Sequence, residues 1–165
     1  MKRFMTHERK LSRYLRVRDQ LADLVRATPD ATARRATAAA LVHHKTPGVS
    51  WTGFYMLRNG QLVVDAYQGP LACLVLAPHQ GVCWAAVDRR ETIVVADVHA
   101  FQGHIACDSR SRSEVVVPLQ GPNDDVIGVL DVDSHLLAHF DDADRMGLEA
   151  IVQVLGMTCS ERILP

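Results

Sequence analysis

The stretch WTGFYMLRNGQLVVDAYQ, residues 51–68, is where the pattern along the chain changes from helices to strands. Two apolar runs flank the turn Arg58-Asn59-Gly60, and an Asn-Gly turn between such runs is a strong signal of a β-hairpin. Further strands are predicted from the same kind of pattern, at 71–77, 92–98, 114–120 and 126–134. The last two form a second hairpin, so the middle of the chain predicts an antiparallel sheet of about six strands.

Helical patterns lie on both sides of this sheet region. Apolar side chains recur at helical spacing in 8–26, and Asp30 is placed to cap a second helix that runs to about His44. Asp141 is placed to cap a last helix to about residue 162, and GVCWAAVDRR (81–90) predicts a short helix within the sheet region. We therefore expect an α+β fold with the N- and C-terminal helices packed on one face of the sheet.

The 165 residues fit one domain. Its expected parts are N-terminal helices at 1–47, the sheet and active-site loops at 50–134, and a C-terminal helix at 141–162. The composition, 48% hydrophobic and 22% charged, excludes a disordered chain. The longest apolar run, LACLVLA, is too short to span a bilayer, and MKRFMTHERK lacks the apolar core of a signal peptide. We expect a cytoplasmic protein without membrane contact.

The charge is uneven along the chain. Residues 1–45 hold eleven Lys and Arg against four Asp and Glu, whereas the remainder is acidic. A basic arm can indicate a nucleic-acid partner, but aromatic residues are not interleaved with these charges, so a solvated helical face is the better interpretation. No nucleic acid is expected, and the terminal helices suit a homodimer interface.

The four cysteines at 73, 83, 107 and 159 contain no C-x-x-C pair. They are too few for a disulfide-stapled secreted scaffold, and a set such as His99, His104 and Cys107 lacks the ligand spacing of zinc sites. We expect no metal and no cofactor. Taken singly, each thiol is most simply an inert buried side chain.

Cys107 nevertheless lies on the long irregular segment 99–113, and loops of that length are usually functional. Cys83 begins the predicted short helix, whose dipole favours a thiolate. Cys73 falls on the predicted strand 71–77, and Cys159 near the end of the last helix is most simply a packing residue.

Three carboxyl groups can meet on one face of the sheet. Asp131 and Asp133 alternate with Val132 on a strand, so they share a face. Glu114 lies on the same face if the second hairpin pairs it with Asp131 or with Asp133, so that paired residue numbers sum to 245 or 247. A sum of 246 would place Glu114 on the opposite face. Crowded like charges disfavour full ionisation, so at least one acid would keep a proton near neutral pH.

Trp51 and Tyr55 are four residues apart on a strand and also share a face, with Phe54 on the other. Their pattern fits core packing and the wall of a pocket equally well.

Five stretches, in this order, resemble the free methionine-(R)-sulfoxide reductase family, whose fold is a single GAF domain: WTGFY, GPLAC, GVC, DVHAFQGHIACDSRSRSEVVVPL and GVLDVDS. The resemblance implies reduction of free L-methionine-(R)-S-oxide through a cysteine sulfenic acid and an intramolecular disulfide, recycled by thioredoxin. It implies that Cys107 is catalytic, Cys73 resolving and Cys83 the third cysteine. Glu114, Asp131 and Asp133 match carboxylates that contact substrate, and Trp51 and Tyr55 match pocket aromatics.

One position departs from the family, because Trp84 stands where Gly usually follows the GVC cysteine. The larger side chain puts the movement of Cys83 in question. The alternative function is a ligand-sensing GAF domain without turnover. Such sensors usually adjoin an output domain, for which this length leaves no room, and they need neither three cysteines nor an acid cluster.

Overall fold

The computed structural model describes residues 6–103 and 107–157. Within these ranges, four α-helices and six strands follow one another as α1 (His7–Arg26), α2 (Ala31–Lys45), β1 (Trp51–Arg58), β2 (Gln61–Gln68), β3 (Val75–Leu76), α3 (Gly81–Arg89), β4 (Ile93–Val95), β5 (Ser113–Gln120), β6 (Val126–Ser134) and α4 (Asp142–Met157). The strands form one antiparallel sheet in the order β3-β2-β1-β6-β5-β4. The predicted fold class is confirmed.

The hairpin between β1 and β2 closes at Arg58 and Gln61, which are paired across the turn. Asn59 and Gly60 both have positive φ angles, 50° and 76°. A two-residue turn whose backbone twist matches that of the strands needs positive φ at both positions, which Asn and Gly tolerate best. The sequence signal therefore corresponds to the turn that forms.

The second hairpin, β5 and β6, has the register that brings the acids together. Glu114 pairs with Asp133 and Val116 with Asp131, so paired numbers sum to 247. This is one of the two registers that place Glu114, Asp131 and Asp133 on the same face.

Apolar side chains fill a layer on each face of the sheet. On one face, α1, α2 and α4 cover residues that include Phe54, Leu130 and Val132. The opposite face carries a second cluster with Trp51, Tyr55 and residues of α3. The terminal helices thus pack on one face, as predicted, and the other face is left for α3 and irregular segments.

The two terminal helices are fastened to each other by a buried polar contact. Tyr14 Oη donates to Asp144 Oδ1 over 3.0 Å, and Lys10 Nζ lies 2.6 Å from Asp144 Oδ2. Gly147 lets α4 approach, because a Cβ at that position would lie 2.3 Å from Tyr14 Cγ. The contact fixes the helical layer behind the sheet.

Both predicted N-caps form. Asp30 accepts from the backbone N–H of Ala33 over 2.7 Å, and Asp141 accepts from that of Ala143 over 2.9 Å. The predicted end of the last helix near residue 162, and with it Cys159, lies outside the described residues.

Two predicted strands are wrong in extent. Only Val75–Leu76 of 71–77 forms a strand, because residues 71 and 72 leave the sheet edge and line a cavity. Of 92–98, only Ile93–Val95 pairs with β5, and a 3₁₀ turn at Val98–Ala100 follows. Apolar content alone does not distinguish a strand from a segment that covers a pocket.

In the part of the chain that the structure describes, no helix is both long and apolar enough to cross a membrane.

Candidate active site

A cavity opens on the sheet face that the terminal helices leave free. It lies between β1, β5, β6, the start of α3 and two irregular segments, 71–72 and 107–111. All the predicted site residues except Cys73 line it. These are Trp51, Tyr55, Cys83, Cys107, Glu114, Asp131 and Asp133. Cys73 is bonded to Cys107, so all the predicted residues meet at one place.

The three carboxyl groups crowd one wall of this cavity. Glu114 and Asp131 are buried, at 6% and 7% exposure. Burial, followed by repulsion from Asp131 and Asp133, raises the pKa of Glu114 well above its usual range. Burial and the repulsion from Asp133 do the same to the pKa of Asp131. Desolvation favours the neutral carboxyl, which agrees with the expectation that an acid here keeps its proton.

Asp133 lies at the rim of this group. Burial raises its pKa to about 7, while a hydrogen bond with Ser111 acts in the opposite direction. Asp133 therefore changes charge near neutral pH, and the pKa of Glu114 is shifted in the same direction, toward the protonated carboxyl. The arrangement offers a proton donor beside a carboxyl group that can become an anion.

The thiols of Cys73 and Cys107 are joined in a disulfide, with their Cα atoms 5.5 Å apart. Cys107 is exposed, and Cys73 is half-buried. The third thiol, Cys83, is free and buried at the floor of the cavity. The expectation from the sequence left the bonding partner of Cys107 open between Cys73 and Cys83, and here the partner is Cys73.

The α3 dipole favours a thiolate at Cys83, but stronger effects act in the opposite direction and Cys83 is not activated. Burial, and then the nearby acids Asp131 and Glu114, raise the pKa of this thiol well above its usual value. A helix terminus contributes only a modest stabilisation, which full desolvation among acids outweighs. Cys83 is therefore a neutral thiol.

Cys73 does not lie on a strand as predicted, since β3 begins only at Val75. Its backbone is held instead by the phenol of Tyr55, whose Oη donates to the Cys73 carbonyl over 3.1 Å. Burial and the charge of Asp131 raise the pKa of Tyr55, so this donor keeps its proton. Tyr55 thus links the cavity wall to the disulfide.

Trp51 and Tyr55 form a stacked wall, with ring centroids 5.8 Å apart, and Tyr67 stacks on Trp51 at 5.4 Å. Both Trp51 and Tyr55 are buried and both line the cavity, so the pair packs in the core and also forms a wall of the pocket. Phe54 lies in the core on the other face, as predicted.

The sequence predicts the start of α3 but not that the first turn of this helix faces the cavity. Gly81, Val82 and Cys83, its first turn, line the cavity. The N-cap residue Gln80 makes no side-chain capping bond, and the first turn holds no acid. Backbone N–H groups at the start of a helix lack intrahelical acceptors and attract anions. Gly81 has a φ of 78°, which favours glycine, so this glycine is the sequence feature that marks the turn before α3.

Trp84 fixes α3 on the sheet face. Its side chain is buried, its Nε1 donates to the Leu76 carbonyl over 3.5 Å, and its ring lies 4.8 Å from that of His79. The residue that departs from the family pattern therefore ties the start of α3 to β3, which restrains Cys83.

Asp108 and Ser111 also line the cavity and were not singled out from the sequence. Hydrogen bonds from Arg110 lower the pKa of Asp108 to about 2. Their only signal was the run DSRSRS between Cys107 and Glu114, which reads equally well as a polar loop. His104, part of the zinc alternative, and residues 105–106, part of the predicted loop before Cys107, lie outside the described residues.

The chain is similar to known proteins in sequence. The GAF domain family model matches residues 26–158. Free methionine-R-sulfoxide reductase of Escherichia coli is 42% identical over 120 residues, which are 73% of this chain and 72% of that protein. The reductase of the same name from Saccharomyces cerevisiae is 32% identical over 131 residues, covering 75% of this chain and 73% of that protein.

A solved structure shows the same similarity in three dimensions. The X-ray structure of free methionine-R-sulfoxide reductase from Neisseria meningitidis, in complex with its substrate, superposes with a TM-score of 0.86 at 40% identity. The match covers 90% of this chain and 89% of that one. The chain therefore belongs to the GAF domain family and, within it, to the free methionine-(R)-sulfoxide reductase family.

Proposed function

We propose that this protein reduces free L-methionine-(R)-S-oxide to L-methionine with its own thiols as the electron source. The observation that carries the proposal is a single cavity lined by Cys107, which is bonded to Cys73, and by three carboxyl groups of raised pKa. The activity of the related reductases supports the choice of substrate.

In the reduced enzyme the thiolate of Cys107 attacks the sulfur of the sulfoxide, and Glu114 donates a proton to the sulfoxide oxygen. As the protonated oxygen passes to Cys107 as a hydroxyl group, the new bond between the two sulfurs and the sulfur–oxygen bond of the substrate both break. Methionine is released, and Cys107 becomes a sulfenic acid. Glu114 suits the donor role because burial, followed by repulsion from Asp131 and Asp133, raises its pKa and so favours the protonated carboxyl.

The sulfenic acid is then resolved by Cys73. The Cys73 thiol condenses with it, a sulfur–sulfur bond forms, and the oxygen leaves as water. The Cys73–Cys107 bond supports Cys73 as the partner. Cys83 is a weaker candidate, because its thiol is neutral and buried and Trp84 restrains its helix.

A dithiol reductant, thioredoxin, restores the two thiols by exchange. The exposed sulfur-bearing residue Cys107 gives a partner access to the disulfide. Leu71 and Leu74, on either side of Cys73, are 87% and 72% exposed and offer an apolar contact beside it.

The cavity can bind both charged groups of a free amino acid. We assign the substrate's ammonium group to Asp131 and Asp133. A peptide-bound residue lacks that charge, and leaving these carboxyl groups without a cation disfavours it. We assign the substrate's carboxylate to the N–H groups of the α3 first turn, at Gly81 and Val82, since the lining offers no basic side chain among the described residues.

The aromatic wall completes the recognition. Trp51 and Tyr55 would enclose the S-methyl group and favour the R epimer by shape. Nε1 of Trp51 is buried without a hydrogen-bond partner among the described residues, so it is available to a ligand.

The test is a stereospecific assay on the free amino acid, with R and S epimers supplied separately and thioredoxin as reductant. Cys107→Ser should abolish turnover of the R epimer. Cys159→Ser, the matched thiol change in the terminal segment, should keep it. Full activity of Cys107→Ser would sink the proposal.

A ligand sensor would instead bind the sulfoxide and return it unchanged. Mass spectrometry after addition of sulfoxide without reductant separates the two functions. The reductase loses two hydrogen atoms as its disulfide forms, whereas a sensor keeps its mass.

A further inference from the structure

Three potential metal ligands converge at the floor of the cavity. Cys83 Sγ and one carboxylate oxygen each of Glu114 and Asp131 all lie within 4.8 Å of one another. All three residues are buried, and they come from three different elements, α3, β5 and β6. The sequence offered no metal motif, since the sheet register and the seating of α3 create this cluster.

An independent observation is that one oxygen of the cluster lacks a partner in the described part of the chain, although the Asp131 side chain also has hydrogen bonds with Cys83 and Glu114. Oδ1 of Asp131 is buried and has no hydrogen-bond partner among the described residues, although Asp131 lines the cavity. A buried carboxylate oxygen without a donor is costly, and a bound cation would satisfy it. The thiol of Cys83 and the two carboxyl groups can only share protons with one another inside the cluster.

The donor set selects the kind of cation. One thiolate and two carboxylate oxygens, with a fourth position open to the cavity, match Zn²⁺, whose bonds are about 2.3 Å to sulfur and about 2.0–2.2 Å to oxygen. Tetrahedral bonds of those lengths place ligand atoms roughly 3.3–3.7 Å apart, so the three side chains, whose ligand atoms lie within 4.8 Å of one another, would have to close on the ion. Calcium and magnesium prefer all-oxygen shells of six or more ligands, so they fit poorly.

We infer that Cys83, Glu114 and Asp131 form an inhibitory site for a thiophilic divalent cation of the Zn²⁺ type. Binding forms one metal–sulfur and two metal–oxygen bonds, releases to solvent the protons that those atoms held, and changes no oxidation state. Given the proposed function, the ion occupies the place of the substrate's ammonium group and blocks the proton donor Glu114. Enzyme with this site filled cannot bind substrate.

The direct test uses a Cys159→Ser background in which Cys73 and Cys107 are oxidised, so that Cys83 is the remaining thiol. Titration with Cd²⁺ alone should produce a thiolate-to-metal ultraviolet band that saturates at a single equivalent, and Zn²⁺ should remove the band by competition. Cys83→Ser should abolish the band. Asp131→Asn should weaken binding at least about tenfold, the lower range for losing even an outer partner of a metal site.

The matched control is Asp88→Asn, which alters an exposed acid that pairs with His79 over 3.0 Å. It should leave the affinity unchanged. A band that survives Cys83→Ser, an affinity unaffected by Asp131→Asn, or the absence of any band would overturn the inference.

Competition links the ion to the substrate site. Free methionine should displace the cation, and the same molecule without its amino group should not. In single-turnover assays of the reduced enzyme, Zn²⁺ should raise the apparent KM and leave the rate at saturation unchanged. If the Cys83-dependent band forms in a protein without reductase activity, the metal site is supported and the proposed function is refuted. If the protein turns over substrate but shows no band, the proposed function is supported and the metal site is refuted.

Discussion

Glu114 and Asp133 face each other directly across β5 and β6, and Asp131 lies two residues along on the same face. Cross-strand neighbours approach to about 4.5–5.5 Å between Cβ atoms, which is close enough for like charges to repel strongly. Burial is the first cause of all three raised pKa values, and the repulsion that the strand register creates adds to it for Glu114 and Asp131. The sheet therefore gathers three acids of raised pKa at the place where we propose a proton donor and an ammonium site.

The first prediction concerns Glu114 as the proton donor. Glu114→Gln keeps the shape of the side chain and removes the proton that would pass to the sulfoxide oxygen. We expect kcat to fall by about 10²–10⁴, the usual contribution of general acid catalysis, with a smaller change in KM. The measurement is steady-state kinetics on the R epimer.

The matched control for this change is Glu149→Gln on α4. The Glu149 carboxylate lies 3.2 Å from the Arg145 guanidinium, and Glu149 does not line the cavity. It should leave kcat near that of the parent. An undiminished kcat in Glu114→Gln would remove Glu114 from the chemical step.

The second prediction is the pH dependence of substrate binding. Asp133 has a pKa raised to about 7, so below that pH it holds a proton and cannot pair with an ammonium group. KM should therefore fall as pH rises through about 7, by up to about tenfold per pH unit on the acid side. In Asp133→Asn, KM should be high and should lose this dependence.

The same shift has a consequence for stability. A carboxyl whose folded pKa exceeds its unfolded value binds its proton more tightly in the folded state. The stability it contributes is present below pH 3.8 and is lost as pH rises to about 7. Asp133→Asn should thus raise the free energy of unfolding at pH above about 7 relative to the parent and not at acid pH. Denaturant titrations at both pH values measure this, and equal effects would contradict the pKa assignment.

The third prediction separates the two candidate resolving thiols. A first turnover without reductant should produce the disulfide in Cys83→Ser but not in Cys73→Ser, because Cys73 is the residue bonded to Cys107. Thiol mapping by mass spectrometry is the measurement. A disulfide that forms in Cys73→Ser and is lost in Cys83→Ser would assign resolution to Cys83 instead.

The sequence predicts the sheet and its acids because each depends on local pattern. The Asn-Gly turn sets the first hairpin, and alternation places Asp131 and Asp133 on one face. The sequence shows that Glu114 joins them only if paired residue numbers in the hairpin sum to 245 or 247. It does not show which register forms, because a turn of five residues permits several pairings. The bulge between Leu119 and Gln120 contributes to that choice and has no sequence signal.

The sequence does not predict what happens to Cys83. A thiol at a helix start suggests activation, but its pKa depends on what lies opposite, and that is set by the packing of α3 on β5 and β6. Likewise the run 71–77 is apolar enough for a strand, yet Leu71 and Leu74 are mostly exposed. Long-range packing, which no local pattern encodes, decides both cases.

The fourth prediction concerns the N-terminus of α3. Gln80→Asp places a capping carboxylate on the N–H groups that we assign to the substrate's carboxylate. It should stabilise the helix by about 0.5–2 kcal/mol while raising KM, since the cap competes with the substrate for the same donors. Gln80→Ala is the control, because it adds no acceptor and should leave KM near the parent value. A parental KM in Gln80→Asp would place the carboxylate elsewhere.

The last prediction concerns the reductant. Leu74 is 72% exposed next to Cys73 and does not line the cavity, so its side chain is free to meet a partner that attacks the disulfide. Burying a leucine at an interface contributes about 1.5–3 kcal/mol, so Leu74→Ser should lower kcat/KM for thioredoxin by roughly tenfold or more. Methionine formed in a single turnover should not change. Leu24→Ser, which alters a leucine of 46% exposure on α1, is the matched control and should affect neither rate. Equal thioredoxin kinetics for the two variants would show that the partner reaches the disulfide without this leucine.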